Sequence, residues 1–282
     1  MSTPLTETQF FAAAIVCLVG SAAIHIMGGR WQPAAPSKTR KVLPSLGRRR
    51  AVEKAIVFLA LLCVVAGLGS STIQRGAWPL ITPMEVITAT AAGAMLWHLL
   101  SRHEHKQEWG SPLFYAIVAS LLMWAIARGP ALQAATVVDS AQQPWWFTSH
   151  LAFALACGAF VKAGSLALAS VVTERQKNRQ PVAPPEGCRD TVASGEKADH
   201  HAMLPGLSLL TASLLITALG GQYTRGVAWS WTASESWQLL AWLFYTMIWC
   251  AFVLLGWRGR RLWSLTALGL IVTLLMLNAV GG

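Results

Sequence analysis

The sequence predicts an all-α, polytopic membrane protein with about eight transmembrane helices and both termini on the extracytoplasmic side. The first reason is composition: 54% of the 282 residues are hydrophobic and 12% are charged, whereas about a quarter of a soluble domain is charged. The second is the recurrence of apolar segments of roughly 20 residues, the length that crosses a bilayer core. The third is an unequal distribution of basic residues between alternate loops.

Eight apolar segments are long enough to be transmembrane spans. Each is expected to be a helix, because lipid offers no hydrogen-bond partner to an unpaired backbone group. The first is interpreted as a span and not a cleaved signal peptide, because the preceding MSTPLTETQ contains an acidic residue and no Lys or Arg. The predicted spans are 10–28, 55–72, 83–100, 112–128, 147–170, 205–221, 237–256 and 262–279.

Polar loops separate these spans in order. The basic, Pro-containing loop 29–54 follows the first span, STIQRGAWPLITPME follows the second, and SRHEHKQEWG follows the third. RGPALQAATVVDSAQQPWWFTSH leads into the fifth span, and the long segment 171–204 is rich in Pro, Gly, Ser and charge, which predicts a flexible cytoplasmic linker. GQYTRGVAWSWTASESW and GWRGRR precede the last two spans. The chain is thus divided into a five-helix part, 1–170, the linker, and a three-helix part, 205–282, with no evident internal repeat.

The basic residues indicate the orientation of the chain. Of the 22 Lys and Arg residues, 18 lie in four loops on one predicted side, and three, Arg75, Arg128 and Arg225, lie on the other. By the positive-inside rule, both termini and the Trp-rich loops face the periplasmic side of a bacterial inner membrane. Orientation then explains the net charge of +10, with anionic lipid as a secondary partner and no role for nucleic acid.

Tryptophan is concentrated in the three outward loops. WSWTASESW brings three indole rings and one carboxylate into nine residues. An interfacial aromatic belt explains isolated tryptophans but fits this density less well. Trp229 and Trp231 are two positions apart, so an extended loop would direct both rings to the same side. The spacing favours a flat apolar platform for a planar ligand.

RGVAWSWTASESWQLLAWLFY, residues 225–245, resembles the tryptophan-rich WWD signature of the cytochrome c assembly family, which includes CcsA/ResC-type and CcmC-type haem-handling membrane proteins. QPWWFTSHLAFALACGAF, residues 143–160, resembles the family segment in which Trp precedes an external haem-ligating His, here His150. GAWPLITPMEVI, residues 76–87, resembles an earlier family region, with Glu85 as its acid. The positions that match the WWD signature are Gly226, Trp229, Trp231, Glu235 and Trp237.

The sequence also departs from the family pattern. Arg225 stands where the signature has its first Trp, and Thr232 and Ala233 replace its Asp and Pro. The transmembrane His of the family corresponds to Cys250, and no His follows the WWD-like loop. The chain therefore resembles a divergent member, or one that takes a ligand from a partner.

The resemblance implies transient binding of haem b at the outer face during c-type cytochrome biogenesis. It implies a second membrane subunit of the CcsB/ResB type and apocytochrome c as partners and, if the protein is active, a place in a cytochrome c haem lyase or synthetase assembly. The indole rings would stack on the porphyrin, and the guanidinium groups would bind its propionates. The residues assigned to the cofactor are His150, Trp229, Trp231, Trp237, Glu235, Arg225 and Arg128, with His150 as the metal ligand.

Alternatives stay open at this point. His150 could be an interfacial histidine bonded to a loop, and Glu235 could serve only the positive end of a helix dipole. Lys162, within a span, is either functional or able to snorkel to the surface, and His25 has no assigned role. For the whole chain, the alternative is a non-catalytic membrane subunit of a respiratory or redox complex; a quinol-oxidising anchor would require paired ligands or an intramembrane acid.

Overall fold

The computed structural model describes residues 7–30, 45–75, 80, 82–101, 110–132, 143–179 and 189–280. Within these ranges the chain forms eight helices, each overlapping one predicted span, which confirms the all-α class. Five of them contain segments long and apolar enough to cross a membrane, and three shorter apolar helical segments accompany them. The helices are α1 (Glu7–Arg30), α2 (Ser45–Arg75), α3 (Pro83–Leu100), α4 (Gly110–Leu132), α5 (Gln143–Arg179), α6 (Arg189–Arg225), α7 (Ala233–Val253) and α8 (Arg260–Val280).

Helix α5 forms the centre of the bundle. It packs against α3, α4, α6 and α8, and 83% of its apolar segment is buried, against 28% for the segment of α2. The outer helices leave large apolar side chains such as Phe58 and Leu215 exposed. A protein with a buried central helix and an apolar exterior is suited to lipid, which requires no polar covering.

Small residues let α3 and α5 approach closely. A Cβ atom built on Gly158 of α5 would lie 2.5 Å from the backbone nitrogen of Ala94 and 2.6 Å from the carbonyl carbon of Gly93, both on α3. No side chain fits between the two backbones at this point. Close backbone contact at small residues is typical of helix packing in membranes, and it leaves the α3 and α5 backbones in direct contact at Gly93, Ala94 and Gly158.

The eight helices form two groups of four with the same pattern of neighbours. In the first group, α1 and α3 each pack against α2 and α4; in the second, α5 and α7 each pack against α6 and α8. The motif R-G-x5-T-x2-E occurs once in each group, starting at Arg75 and at Arg225. Its Thr and Glu form a capping box at the start of α3 and again at the start of α7. The structure thus contains a repeat that inspection of the sequence overlooks.

The predicted linker 171–204 is helical in its described part. Helix α5 continues to Arg179, and α6 begins at Arg189, so the helices on either side extend into the polar segment. The central residues of that segment lie outside the described ranges. The division into parts 1–170 and 205–282 stays a prediction.

Candidate ligand pocket at the Trp-rich end

A pocket lies where α5 and α7 begin and α6 ends, which we call the Trp-rich end of the bundle. Its cavity volume is about 90 Å³. This is below the roughly 300–1,000 Å³ that is usual for small-molecule and cofactor sites, so a ligand of cofactor size would extend out through the open mouth. All three helices contribute side chains, and the lining includes Trp145, Trp146, His150, Arg225, Glu235 and Gln238.

His150 is held in one orientation on the second turn of α5. The side chain is buried, and its Nδ1 lies 2.8 Å from the backbone carbonyl oxygen of Trp146. A carbonyl oxygen can only accept, so Nδ1 carries the hydrogen and the lone pair of the neutral ring is on Nε2. The indole of Trp146 stacks on the imidazole, with ring centroids 4.8 Å apart and planes 12° apart. A backbone-bonded Nδ1 and a basic Nε2 are the arrangement of a metal-binding histidine.

Glu235 combines the two roles that the sequence left open. Its Oε2 accepts hydrogen bonds from the backbone nitrogens of Ser230, at 2.8 Å, and Thr232, at 3.4 Å, while its own backbone nitrogen donates to Thr232 Oγ1 at 3.3 Å. This capping box satisfies donors at the start of α7. The same carboxylate lines the pocket. It is therefore a helix cap and a pocket residue at once.

Arg225 forms an ion pair with Glu235. Its Nη2 lies 3.3 Å from Glu235 Oε1, and its side chain is 38% exposed against 7% for the glutamate. Gly221 makes room for this guanidinium, because a Cβ there would lie 2.8 Å from Arg225 Nη2. The pair places a partly solvated cation on the pocket wall.

The tryptophans of the WWD-like stretch do not form the expected flat platform. Trp231 has a positive φ of 54°, which interrupts the extended run that would align it with Trp229. The two rings meet edge to face, with centroids 6.1 Å apart and planes 77° apart, and Trp231 is 72% exposed. Trp237 packs against the hydrophobic core. Among the described residues, the pocket walls instead carry Trp145 and Trp146.

Of two other positions named from the sequence, Arg128 is only partly described and Cys250 is fully described. Arg128 belongs to α4, and its side chain, like those of Arg75 and His25, lies outside the described part of the structure. Cys250, at the position of the family's transmembrane histidine, is a free thiol on α7. The assignment of the WWD-like tryptophans and Arg128 to a ligand stays a prediction.

Sequence reasoning missed several polar residues of the pocket. Gln238 is 4% exposed, and its Oε1 has no hydrogen-bond partner among the described residues. It lies three positions after Glu235, hence on the same face of α7, and this spacing could have found it. The hydroxyl groups of Ser149 on α5 and Thr217 on α6 are hydrogen-bonded to each other at 2.6 Å, and both residues line the pocket. Hydroxyl residues on apolar helices give no comparable signal in a sequence.

Lys162 does not snorkel. Its side chain is fully buried, and its Nζ lies 2.9 Å from Nδ1 of His98. Of the two alternatives left open by the sequence, the one in which Lys162 reaches the membrane surface is wrong, because His98 of α3 and Phe114 of α4 contact its ammonium inside the bundle.

The fold and the pocket define a multi-pass α-helical membrane protein with a single oriented histidine in an aromatic pocket at one end. Residues 80–280 match the family model described as "Cytochrome C assembly protein". The chain therefore belongs to the cytochrome c assembly protein family, as its resemblance to that family implies.

The relatives carry the name "Cytochrome c biogenesis protein CcsA". The protein of Synechococcus sp. (strain CC9902) is 26% identical over 251 residues, covering 79% of this chain and 81% of the relative. That of Parasynechococcus marenigrum is 24% identical over 251 residues with the same coverage. That of Gloeothece citriformis is 22% identical over 275 residues, covering 81% of this chain and 84% of the relative.

Proposed function

We propose that this protein handles haem in c-type cytochrome biogenesis, binding it in the pocket at the Trp-rich end with His150 as an iron ligand. The observation that supports this most directly is that His150 and Glu235 of the WWD-like stretch, far apart in the sequence, line one pocket. They belong to the two segments whose resemblance to the family is strongest. Their convergence gives the resemblance a physical basis.

The donors of the pocket fit an iron macrocycle better than a bare metal ion. No three His, Cys, Asp or Glu side chains in the described part of the chain come together as a metal site. Iron in a porphyrin already has four equatorial nitrogens and requires only axial ligands from protein. His150 Nε2, oriented by the Trp146 carbonyl, is suited to be one of them.

The remaining walls fit the other parts of haem. Trp145 and Trp146 supply aromatic surface beside His150, and such surface gives affinity for a flat ring. Arg225, partly exposed and 3.3 Å from Glu235, supplies a cation for a propionate, which guanidinium binds in a two-pronged manner. Haem supplies, when bound, the vinyl groups that become linked to a cytochrome; the residues of this chain bind and orient it.

The basic loops support an extracytoplasmic position for the pocket. Eighteen Lys and Arg residues lie in loops that the positive-inside rule assigns to the cytoplasm, which puts the Trp-rich end outside. In bacteria this is the periplasmic face of the inner membrane, where an apocytochrome c would meet the open mouth. A second membrane subunit of the CcsB/ResB type would supply a further ligand to the haem iron.

A non-catalytic membrane subunit is the second candidate. Cys250 and Thr232 replace a His and an Asp of the family signature, and Thr232 serves as a helix cap. A protein that had kept the fold and lost its haem-ligating side chains would have the same kinds of substitution at these positions. It would differ in binding no haem at His150.

Haem titration of the detergent-purified protein separates the two candidates. We expect a saturable Soret band with the wild type, its loss in His150→Gly, and partial recovery of the band when free imidazole is added to that variant. His200→Ala, in the segment 171–204, is the matched control and is expected to bind as the wild type does. A colourless wild type, or an unchanged band in His150→Gly, would exclude the proposed site.

A further inference from the structure

Four ionisable side chains form one hydrogen-bonded chain in the half of the bundle away from the pocket. Lys162 Nζ lies 2.9 Å from His98 Nδ1, His98 Nε2 lies 3.1 Å from Tyr115 Oη, and Tyr115 Oη lies 2.9 Å from Glu53 Oε1. Each residue comes from a different helix: α5, α3, α4 and α2. The chain connects the centre of the bundle to α2.

The donor and acceptor at each link follow from the carboxylate. An ionised Glu53 only accepts, so the Tyr115 hydroxyl donates to it. That hydrogen is then committed, so His98 Nε2 must carry a hydrogen and donate to the tyrosine oxygen. In a neutral imidazole this leaves the lone pair on Nδ1, which accepts from the Lys162 ammonium. All three bonds therefore point from Lys162 towards Glu53.

The two ends of the chain differ in their access to the surroundings. Lys162 is fully buried, His98 and Tyr115 are buried, and Glu53 is half-buried beside the exposed Lys54. The Lys162 ammonium also lies 4.7 Å from the centroid of the Phe114 ring, on which His98 stacks at 4.7 Å. Phe114 thus covers the inner links, and protons can enter or leave at the Glu53 end.

Two other titratable groups lie on faces of the bundle beside α5. They are Cys157, five residues before Lys162 on α5, and Tyr245 of α7, whose hydroxyl bonds to Thr273 of α8 at 2.7 Å. Tyr245 stacks on Phe160 with centroids 3.6 Å apart. These contacts hold the other faces of α5 in place.

We propose that Lys162, His98, Tyr115 and Glu53 are a proton-transfer chain between the interior of the bundle and the surface at α2. In one passage, Lys162 gives a proton to His98 Nδ1, His98 Nε2 gives its proton to Tyr115 Oη, and Tyr115 gives its original hydroxyl proton to Glu53. Three N–H or O–H bonds break and three form. A charged amine and carboxylate become a neutral pair without any ion crossing the apolar core.

This arrangement accounts for a lysine at the centre of a membrane protein. A charged side chain there is costly on insertion scales, and a purely structural contact does not require four ionisable groups in sequence. A chain of alternating hydrogen-bond donors and acceptors allows Lys162 to gain or lose its positive charge as protons move along the chain. The pocket residues take no part, so the proposal is independent of haem binding.

Hydrogen–deuterium exchange at the Lys162 ammonium tests the proposal. The protein is labelled with ¹⁵N-lysine in detergent, and the Lys162 resonance is assigned by its absence in Lys162→Met. We expect exchange at least tenfold slower in Tyr115→Phe and in Glu53→Gln than in the wild type, because each variant interrupts the chain and leaves the packing in place. Glu53→Asp is expected to restore part of the rate.

A structural role would give the opposite sign, because loss of a bond between helices loosens the bundle and speeds exchange. Trp97→Phe is the matched control: it removes a 3.0 Å bond from Trp97 Nε1 to the Leu155 carbonyl, between α3 and α5, without touching the chain. Its Lys162 exchange rate is expected to equal or exceed that of the wild type. Equal or faster exchange in Tyr115→Phe, or a wild-type ammonium that does not exchange over days, would overturn the proposal.

Discussion

Replacing Gln238 with leucine is expected to stabilise the ligand-free protein and to weaken haem binding. Gln238 is 4% exposed at the wall of the pocket, and its Oε1 has no hydrogen-bond partner among the described residues. A buried polar atom without a partner destabilises the folded state by about 1–3 kcal/mol. Leucine has a similar size and removes the unsatisfied atom, so the free energy of unfolding should rise by about that amount.

The opposite effect is expected for the ligand. A polar group left unsatisfied in the empty pocket is available to a bound molecule, and loss of one hydrogen bond worth about 1 kcal/mol weakens binding several-fold. An opposite change in stability and affinity is a mark of a residue kept for function. The unsatisfied Oε1 of Gln238 therefore predicts a gain in stability and a loss of affinity from one substitution.

Both quantities are measured on the same detergent preparation. Thermal unfolding of the ligand-free protein gives the change in stability, and titration with ferric haem gives the change in affinity. Gln222→Leu is the control, because Gln222 lies on the exposed surface of α6 near the same end and is expected to change stability by less than about 0.5 kcal/mol. If Gln238→Leu unfolds at a lower temperature than the wild type, the amide is satisfied in the empty pocket and the reasoning is wrong.

Three further substitutions probe packing and charge. Gly158→Leu should prevent assembly of the bundle, since even a Cβ at Gly158 would lie 2.5 Å from the α3 backbone. Gly69→Leu should be neutral, because a Cβ at Gly69 has nothing within 4 Å. The yield of monodisperse protein in detergent measures both effects. Arg225→Met should weaken binding of haem about tenfold, the effect of losing one charge-assisted hydrogen bond, and leave binding of its dimethyl ester unchanged. Glu235→Gln preserves the capping box and removes a negative charge from the pocket. It should therefore tighten the binding of haem more than the binding of haem dimethyl ester. Equal effects on the two ligands would contradict a contact with the propionates.

Hydropathy and topology made much of the structure predictable. Each apolar segment had to become a helix, and alternation of helix direction was enough to bring the start of α5 to the same end as the WWD-like stretch. The presence of His150, Arg225 and Glu235 in one pocket follows from that topology. Helix formation and the alternation of helix direction are imposed by the lipid environment, so both can be inferred from the sequence without knowledge of side-chain contacts.

Features set by particular neighbours could not be predicted. The positive φ of Trp231 depends on how the loop enters the capping box of α7, and a two-residue spacing assumes an extended chain. Lys162 appeared able to reach the surface because its burial depends on His98 and Tyr115, which come from other helices. The spacing of Gln238 from Glu235 places both on one face of α7, but only the structure shows that the Gln238 Oε1 has no hydrogen-bond partner among the described residues.

The two capping boxes use the second carboxylate oxygen of their glutamates in different ways. At the start of α3, Glu85 accepts from the Thr82 backbone through Oε2, at 3.1 Å, and from Ser71 Oγ through Oε1, at 3.0 Å. At the start of α7, Glu235 bonds its cap through Oε2, and its Oε1 pairs with Arg225 at 3.3 Å. The cap itself needs only one carboxylate oxygen, which leaves the second free to bond Ser71 in one copy and a guanidinium in the other. In the second copy the guanidinium lies on a pocket wall that also carries His150, so the difference between the two copies places a cation and an imidazole in one pocket.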